Sequence, residues 1–172
     1  KDPIATTYNT LENTLDQIEP LYERFVEDYP KNGQYNLYLG STKGLRARAS
    51  LGKKAWLSIL IDSYKGFIII EKVSRENPDL VDAKLPVGIV EYYASVGNVL
   101  IRWAVDLFGL QTSTEKALKK ISDAAKNSKW AWIEASGIIS FIYLWLEDTP
   151  RLALPFTDKL SKEFPRNFYF NI

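Results

Sequence analysis

The sequence predicts an all-α protein, an α-solenoid of antiparallel helical hairpins with about seven or eight helices in a single domain over residues 1–172. Three observations carry this expectation. Apolar residues recur three and four apart in every long segment, the spacing of one helical face. The segment Asp16 to Asn32 repeats as Arg151 to Asn167: Pro20 falls on Pro155, Leu21 on Phe156, Phe25 on Leu160, Tyr29 on Phe164, Pro30 on Pro165 and Asn32 on Asn167. Ile69, Val73 and Asn77-Pro78 form a fainter third copy. A helix that ends on Pro and a short polar loop is thus written two or three times, as in stacked helical repeats. Finally, 46% of the residues are hydrophobic and 13% aromatic, enough for a substantial core.

The elements follow in order. Pro3 opens a short helix over residues 3–9, with Leu11-Glu12-Asn13 as a turn. Thr14 and Gln17 then have capping-box spacing, which satisfies two N–H groups at a helix start. The helix to Tyr29 buries Leu15, Ile18, Tyr22, Phe25 and Tyr29, and Pro20 should bend it. Pro30-Lys31-Asn32-Gly33 breaks the chain. The helix over 34–51 carries Gly40 and Gly44 on one face, a pattern that favours close backbone packing. Gly52 ends it. The next runs from Lys53 to Glu76, with Trp56, Leu60, Tyr64, Phe67 and Val73 inside and Ser58, Asp62 and Lys65 at its wet edge. Phe67 to Ile70 has strand propensity but lies inside helical periodicity, so it is assigned helix. Asn77-Pro78 closes that helix.

Asp79 to Asp82 offers caps for a helix with Ala83, Val87, Val90 and Tyr93, and Pro86 and Gly88 make its start irregular. Gly97-Asn98 separates it from a helix over Val99 to Phe108. The span Val87 to Leu110 is apolar, but Glu91, Arg102 and Asp106 interrupt it and Gly97 splits it, so no transmembrane segment is expected. Thr112 or Ser113 caps Thr114 to Asn127, with Ala117, Leu118, Ile121 and Ala125 inside and Lys116, Lys119, Lys120 and Lys126 outside. The last hairpin organises the rest. Its first helix, Trp130 to Leu146, carries one apolar stripe on Ile133, Gly137, Ile138, Phe141, Leu144 and Trp145. Ile139 and Ile142 mark a second face, so two faces are expected to be covered. Glu147-Asp148-Thr149-Pro150 is the turn, with Asp148 or Thr149 as cap and Pro150 in the first turn of the second helix. That helix runs through Leu152, Phe156, Leu160 and Phe164 to Pro165. The tail Phe168-Tyr169-Phe170 is apolar and is expected to dock on the hairpin or to continue into further sequence.

Composition excludes several classes of function. Net charge is +1, from 22 basic and 21 acidic side chains. That balance gives no electrostatic reason to expect nucleic acid or an acidic membrane as partner. Cysteine and histidine are both absent. Disulfides, thiolate metal sites, the usual zinc ligand and the commonest general base go with them. No metal and no cofactor are expected. The carboxylate pairs Glu12/Asp16 and Glu23/Glu27 lie on polar helix faces and read as solvated surface. Lys43 in Gly40-Ser41-Thr42-Lys43-Gly44 lacks the order and the preceding strand of a phosphate loop. Nothing orients Ser41 or Ser50 toward a lysine base. Arg46, Arg48, Lys53 and Lys54 gather at a helix–helix turn, where support of a helix C-terminus is the plain reading and an acidic docking partner the other.

The helical hairpins, their closing Pro30 and Pro165, and the small residue Ala153 ahead of Leu160 resemble the tetratricopeptide-repeat superfamily. Phe141, Gly137, Leu144 and Thr157 replace that motif's helix-A glycine, tryptophan, tyrosine and helix-B aromatic, so the copy is degenerate. The Tyr8-Asn9 turn, the segment Asp82 to Tyr93 with its Gly88 and Tyr92-Tyr93, the helix Thr114 to Asn127 and the final hairpin resemble a bacterial family of such proteins across nearly the whole chain. The resemblance implies a non-catalytic scaffold of right-handed hairpins, frequently exported behind a leader peptide, which favours a periplasmic or exported location over the cytoplasm. The superfamily's clamp for a peptide carboxylate is missing: Ala135, Ile138, Ile139 and Ile142 stand at its places.

The expected function is therefore protein–protein interaction, with a peptide segment or another subunit as partner and no enzymatic activity. The aromatic side chains Tyr38, Tyr92, Tyr93, Trp103 and Trp132, with Phe168 and Phe170 of the tail, are the candidate partner contacts, since aromatic anchors carry binding energy. A small-ligand module with an apolar pocket between Tyr92/Tyr93 and Trp103 is the alternative.

Overall fold

The computed structural model describes residues 3–52, 56–97 and 113–170; the side chains of residues 3–5, 50–52 and 56–62 lie outside that description. Among the described residues the chain is all-helical, with seven α-helices and no strand. It forms two compact units, Lys1–Leu80 and Val81–Ile172.

The first unit holds α1 (Pro3–Asp28), α2 (Gly33–Gly52) and α3 (Trp56–Glu76), and each helix packs on its neighbour in sequence. The separate short helix expected over residues 3–9 does not exist. The helix is continuous through Tyr8, Asn9 and Leu11-Glu12-Asn13, and Pro20 lies inside it without ending it. Thr14 is not a cap: its hydroxyl donates to the Thr10 carbonyl at 2.9 Å, a bond made within a helix. Leu15 is buried, as the periodicity requires, but Phe25 and Tyr29 are exposed. Their rings join a ladder along α1 and α2, with Tyr22 on Tyr38 at 5.4 Å and Phe25 stacked on Tyr35 at 5.2 Å. Tyr64, expected in the core of α3, is exposed, while Ile70 and Val73 are buried. Trp56, Leu60, Ser58 and Asp62 belong to the side chains outside the description, as do Lys53 and Lys54.

Glycine sets how closely α2 and α3 approach. A methyl group on Gly66 would stand 2.8 Å from the Gly40 carbonyl oxygen and 3.0 Å from the Gly44 nitrogen. Gly40 is as tight, with Ile70 Cγ1 at 2.5 Å from its missing Cβ. The sequence pointed to Gly40 and Gly44 as the contact, yet a Cβ on Gly44 meets nothing within 4 Å. The strict position is its partner, Gly66.

The second unit holds a 3₁₀ turn (Val81–Ala83), α4 (Lys84–Val96), α5 (Thr114–Asn127), α6 (Trp132–Phe141), one π turn continuing α6 (Ile142–Leu146), α7 (Pro150–Glu163) and a closing 3₁₀ turn (Phe168–Phe170). α5 packs on α4 and on α6, and α7 packs on α6. Leu85, Tyr92, Ile121, Ile139, Ile142 and Phe156 anchor one shared core. Pro86 sits in the first turn of α4, where its missing N–H has no helical partner to lose. Ser113 caps α5 by accepting from the Lys116 N–H. The expected helix Val99 to Phe108 lies outside the described residues.

Asp82 does not cap its own helix, which starts without a side-chain cap. Its carboxylate reaches 47 to 49 residues onward and accepts from the N–H groups of Lys129 at 3.0 Å, Trp130 at 2.7 Å and Ala131 at 2.8 Å. Three donors at the entry to α6 are thereby satisfied, and the negative charge suits the positive end of that helix. Asp82→Ala should therefore destabilise the second unit by about 1–2 kcal/mol, the usual cost of a lost helix cap, because three N–H groups at the helix entry lose their acceptor. Urea unfolding checks this; a loss within about 0.5 kcal/mol would mean that water replaces the carboxylate without cost.

The repeated helix ends fold alike. The N–H groups of Tyr29, Asn77 and Phe164 donate to the carbonyls of Phe25, Val73 and Leu160 at 2.9, 2.8 and 2.9 Å. Three residues on, Asn32, Leu80 and Asn167 donate to Tyr29, Asn77 and Phe164 at 3.0, 3.0 and 2.9 Å. Asn32 Oδ1 also accepts from the Gln34 N–H and Asn167 Oδ1 from the Tyr169 N–H, both at 3.0 Å. All three copies thus build one local turn, in which proline forbids the next helical bond and the chain closes a tighter one.

Candidate interaction surface

Of the two apolar faces of α6 expected to be covered, one is buried and the other is largely not. Ala135, Ile139, Ile142 and the small Ser136 and Ser140 face the core. The predicted stripe lies half-buried at Ile133, Gly137 and Ile138 and then opens to solvent at Phe141, Leu144 and Trp145, the last 74% exposed. Leu146, and Leu152 and Leu154 on α7, extend the exposed apolar surface around the corner. Small side chains decide the sense: Ala135, Ser136 and Ser140 let α6 lie close against its neighbours, and aromatic rings on that side would hold it off. No Cβ-sized obstacle stands above Gly137.

The corner between α6 and α7 is irregular. Ile142–Leu146 form a π turn, closed by the Glu147 N–H donating to the Ile142 carbonyl at 2.9 Å. Asp148 adopts φ 47°, the left-handed region that Asp tolerates better than most residues. Thr149 stands at the N-cap of α7 but makes no side-chain cap; its N–H donates to the Tyr143 carbonyl at 2.8 Å, and Pro150 begins the helix. Single π turns are frequent at functional sites because the extra residue re-aims side chains.

Glu147 fastens this corner to α4. Its Oε1 accepts the hydroxyl of Tyr92 at 2.6 Å. Burial, and then the hydrogen bond and charge of Glu147, push the Tyr92 hydroxyl far above the ordinary tyrosine range, so it stays a proton donor at any ordinary pH. Tyr143 is pushed up as well, by burial and then by the charge of Glu147.

The predicted contact residues separate. Tyr92 is 1% exposed and spends its hydroxyl on Glu147, so it is core and cannot meet a partner. Its neighbour Tyr93 is exposed. Trp103 lies outside the described residues, so the pocket drawn between it and Tyr92/Tyr93 has only the buried Tyr92 and exposed Tyr93 within the description. Tyr38 is half-buried against Tyr22. Trp132 is half-buried, stacked on Phe164 at 6.0 Å, with the Lys159 ammonium 4.4 Å from its ring centre. Phe170 docks against Phe164 at 5.6 Å, but Phe168 is 82% exposed. Of the three tail aromatics only Phe170 docks on the hairpin, since Tyr169, like Phe168, is exposed. Sequence reasoning did not single out Tyr143, Leu146 or Glu147, and it placed Phe141 and Trp145 on a covered face. The excess of apolar faces on α6 was the available signal.

In the first unit, charge is spent internally. Lys43 bonds Glu19 at 2.7 Å and Glu23 at 3.1 Å; Arg46 bonds Glu19 at 2.6 Å and Asp16 at 2.9 Å. Burial alone would raise Glu19, but the hydrogen bonds and charges of Lys43 and Arg46 outweigh it and hold its carboxyl below the ordinary value. Asp16 and Glu23 stay exposed, as expected of polar helix faces, and from there pair with the cations that join α1 to α2. Lys43 lies in mid-helix with no phosphate loop around it. Among the described residues no group of acidic side chains converges as a metal site, and no helix is long and apolar enough to cross a membrane.

Compared with protein-family models, with curated proteins and with solved structures, the chain matches none.

Proposed function

We propose that this chain is a non-catalytic protein-interaction scaffold of the tetratricopeptide-repeat type, which docks another protein chain on the outward stripe of its last hairpin. The observation that carries this reading is the exposed run Phe141, Leu144, Trp145 and Leu146, continued by Leu152 and Leu154. A run of exposed apolar side chains of this kind, with a large aromatic among them, favours an interaction site over a solvated helix face. The three equivalent helix ends support the repeat architecture. The internal pairing of Lys43 and Arg46 with Glu19 supports the absence of a poised acid or base in the first unit.

Crosslinking of the native protein followed by mapping of the linked peptides is the test. The expected result is a partner chain linked to residues 141–154, with Trp145→Ala weakening the complex by about tenfold or more, as a buried aromatic hot spot does. Recovery as a lone monomer, or a partner unaffected by Trp145→Ala and mapped elsewhere, would overturn the reading. Circular dichroism keeps the variant interpretable, since an exposed tryptophan is not needed for the fold.

A further inference from the structure

Beside the apolar stripe, a groove of about 340 Å3 runs between α5 and the α6–α7 corner. This lies at the small end of the range for ligand sites, about 300–1,000 Å3. One wall carries Glu115, Leu118 and Lys119 from successive turns of α5, and the other carries Tyr143, Glu147 and Leu152. Leu118, Tyr143 and Leu152 are its apolar lining, and Ser122 and Thr149 join two carboxylates, Glu115 and Glu147, and one cation, Lys119, as its polar groups.

The charge pattern selects the occupant. Glu147 is held in place through Oε1 by the buried Tyr92 hydroxyl, and among the described residues no donor meets its Oε2. Among the described residues no basic side chain pairs with Glu147 or Glu115. Tyr143 and Glu147 line the same groove, so that carboxylate stands on the wall that carries an aromatic ring. Lys119 at the rim is exposed, and part of its field acts on Asp123, a carboxyl held low chiefly by its hydrogen bond from Lys84. A cation on an apolar stem satisfies all of this. Its head would meet the carboxylate of Glu147 beside Tyr143, and its stem would cover Leu118 and Leu152. An anion would face two carboxylates across a single lysine.

We propose that this groove receives an arginine or lysine side chain from the protein partner. The proposal rests on the scaffold reading for the source of that side chain, but the groove's own preference is measurable without any partner. The probes are n-butylguanidinium, n-butylammonium, n-butanol and pentanoate, titrated separately into the full chain and followed by amide chemical shifts. The two cations should shift residues 115–122 and 143–152 and bind about fivefold tighter than butanol, the size of an exposed ion pair. Pentanoate should be the weakest. Glu147→Gln keeps an oxygen for Tyr92 and should bring the cations to the level of butanol; Glu115→Gln, on an exposed position, should reduce the preference in part. Equal binding of butanol and the cations, tighter binding of pentanoate, or shifts confined to other residues would overturn the proposal. If the cations bind as expected and no partner crosslinks to residues 141–154, the scaffold reading fails and the groove stands. If a partner crosslinks there and the cation preference is missing, the groove fails alone.

Discussion

Leu160→Ala should destabilise the second unit by about 2–5 kcal/mol, the usual cost of a buried leucine with its cavity. Phe25→Ala, at the aligned place in the first unit, should cost clearly less. Leu160 is 3% exposed and has no way to leave the core. Phe25 is 39% exposed, with its ring stacked on Tyr35 at 5.2 Å and tilted against Tyr22 at 6.3 Å, pairs worth about 0.5–1.5 kcal/mol beyond burial. Equilibrium unfolding in urea, followed by circular dichroism, compares the two. Equal losses would mean that Phe25 is covered in solution by more than Tyr35 and Tyr22. The two positions share a backbone turn but not an environment, so the repeat is exact in hydrogen bonds and loose in packing.

Gly66→Ala should destabilise the first unit by about 1–3 kcal/mol, because the added methyl meets backbone that cannot rotate away. The Gly40 carbonyl oxygen and the Gly44 nitrogen are both in its path, so α2 and α3 must separate and loosen Ile70. Gly44→Ala should do the reverse and stabilise by about 0.5–1 kcal/mol, since its Cβ enters open space and the unfolded chain loses freedom. Thermal unfolding of the two variants side by side gives the sign directly. A stabilised Gly66→Ala would show that the helices are not in backbone contact.

Much of the fold was legible from periodicity and punctuation. The ends of α2, α3, α5 and α7 fall within a few residues of the expected places, because Gly, Asn-Pro and Ser caps act through local backbone chemistry. The first helix was misread for a related reason. Thr14 and Gln17 have the spacing of a capping box, and the same threonine can instead bond back into a continuing helix. Only neighbours in space choose between these.

The sequence by itself determined the class of secondary structure, the repeated proline turns and the absence of histidine and cysteine chemistry. Those depend on residues within one or two turns of each other, or on composition alone. Tertiary structure decided the rest. It turned Ala135, Ser136 and Ser140 inward and left Phe141 and Trp145 in water, although both faces of α6 are apolar. Asp82 went to the entry of α6, 47 residues away, and Tyr92 was buried against Glu147, 55 residues away. A helix with two apolar faces has no intrinsic inside. The face that packs more closely against its neighbours is buried, and what remains exposed becomes the candidate surface for a partner.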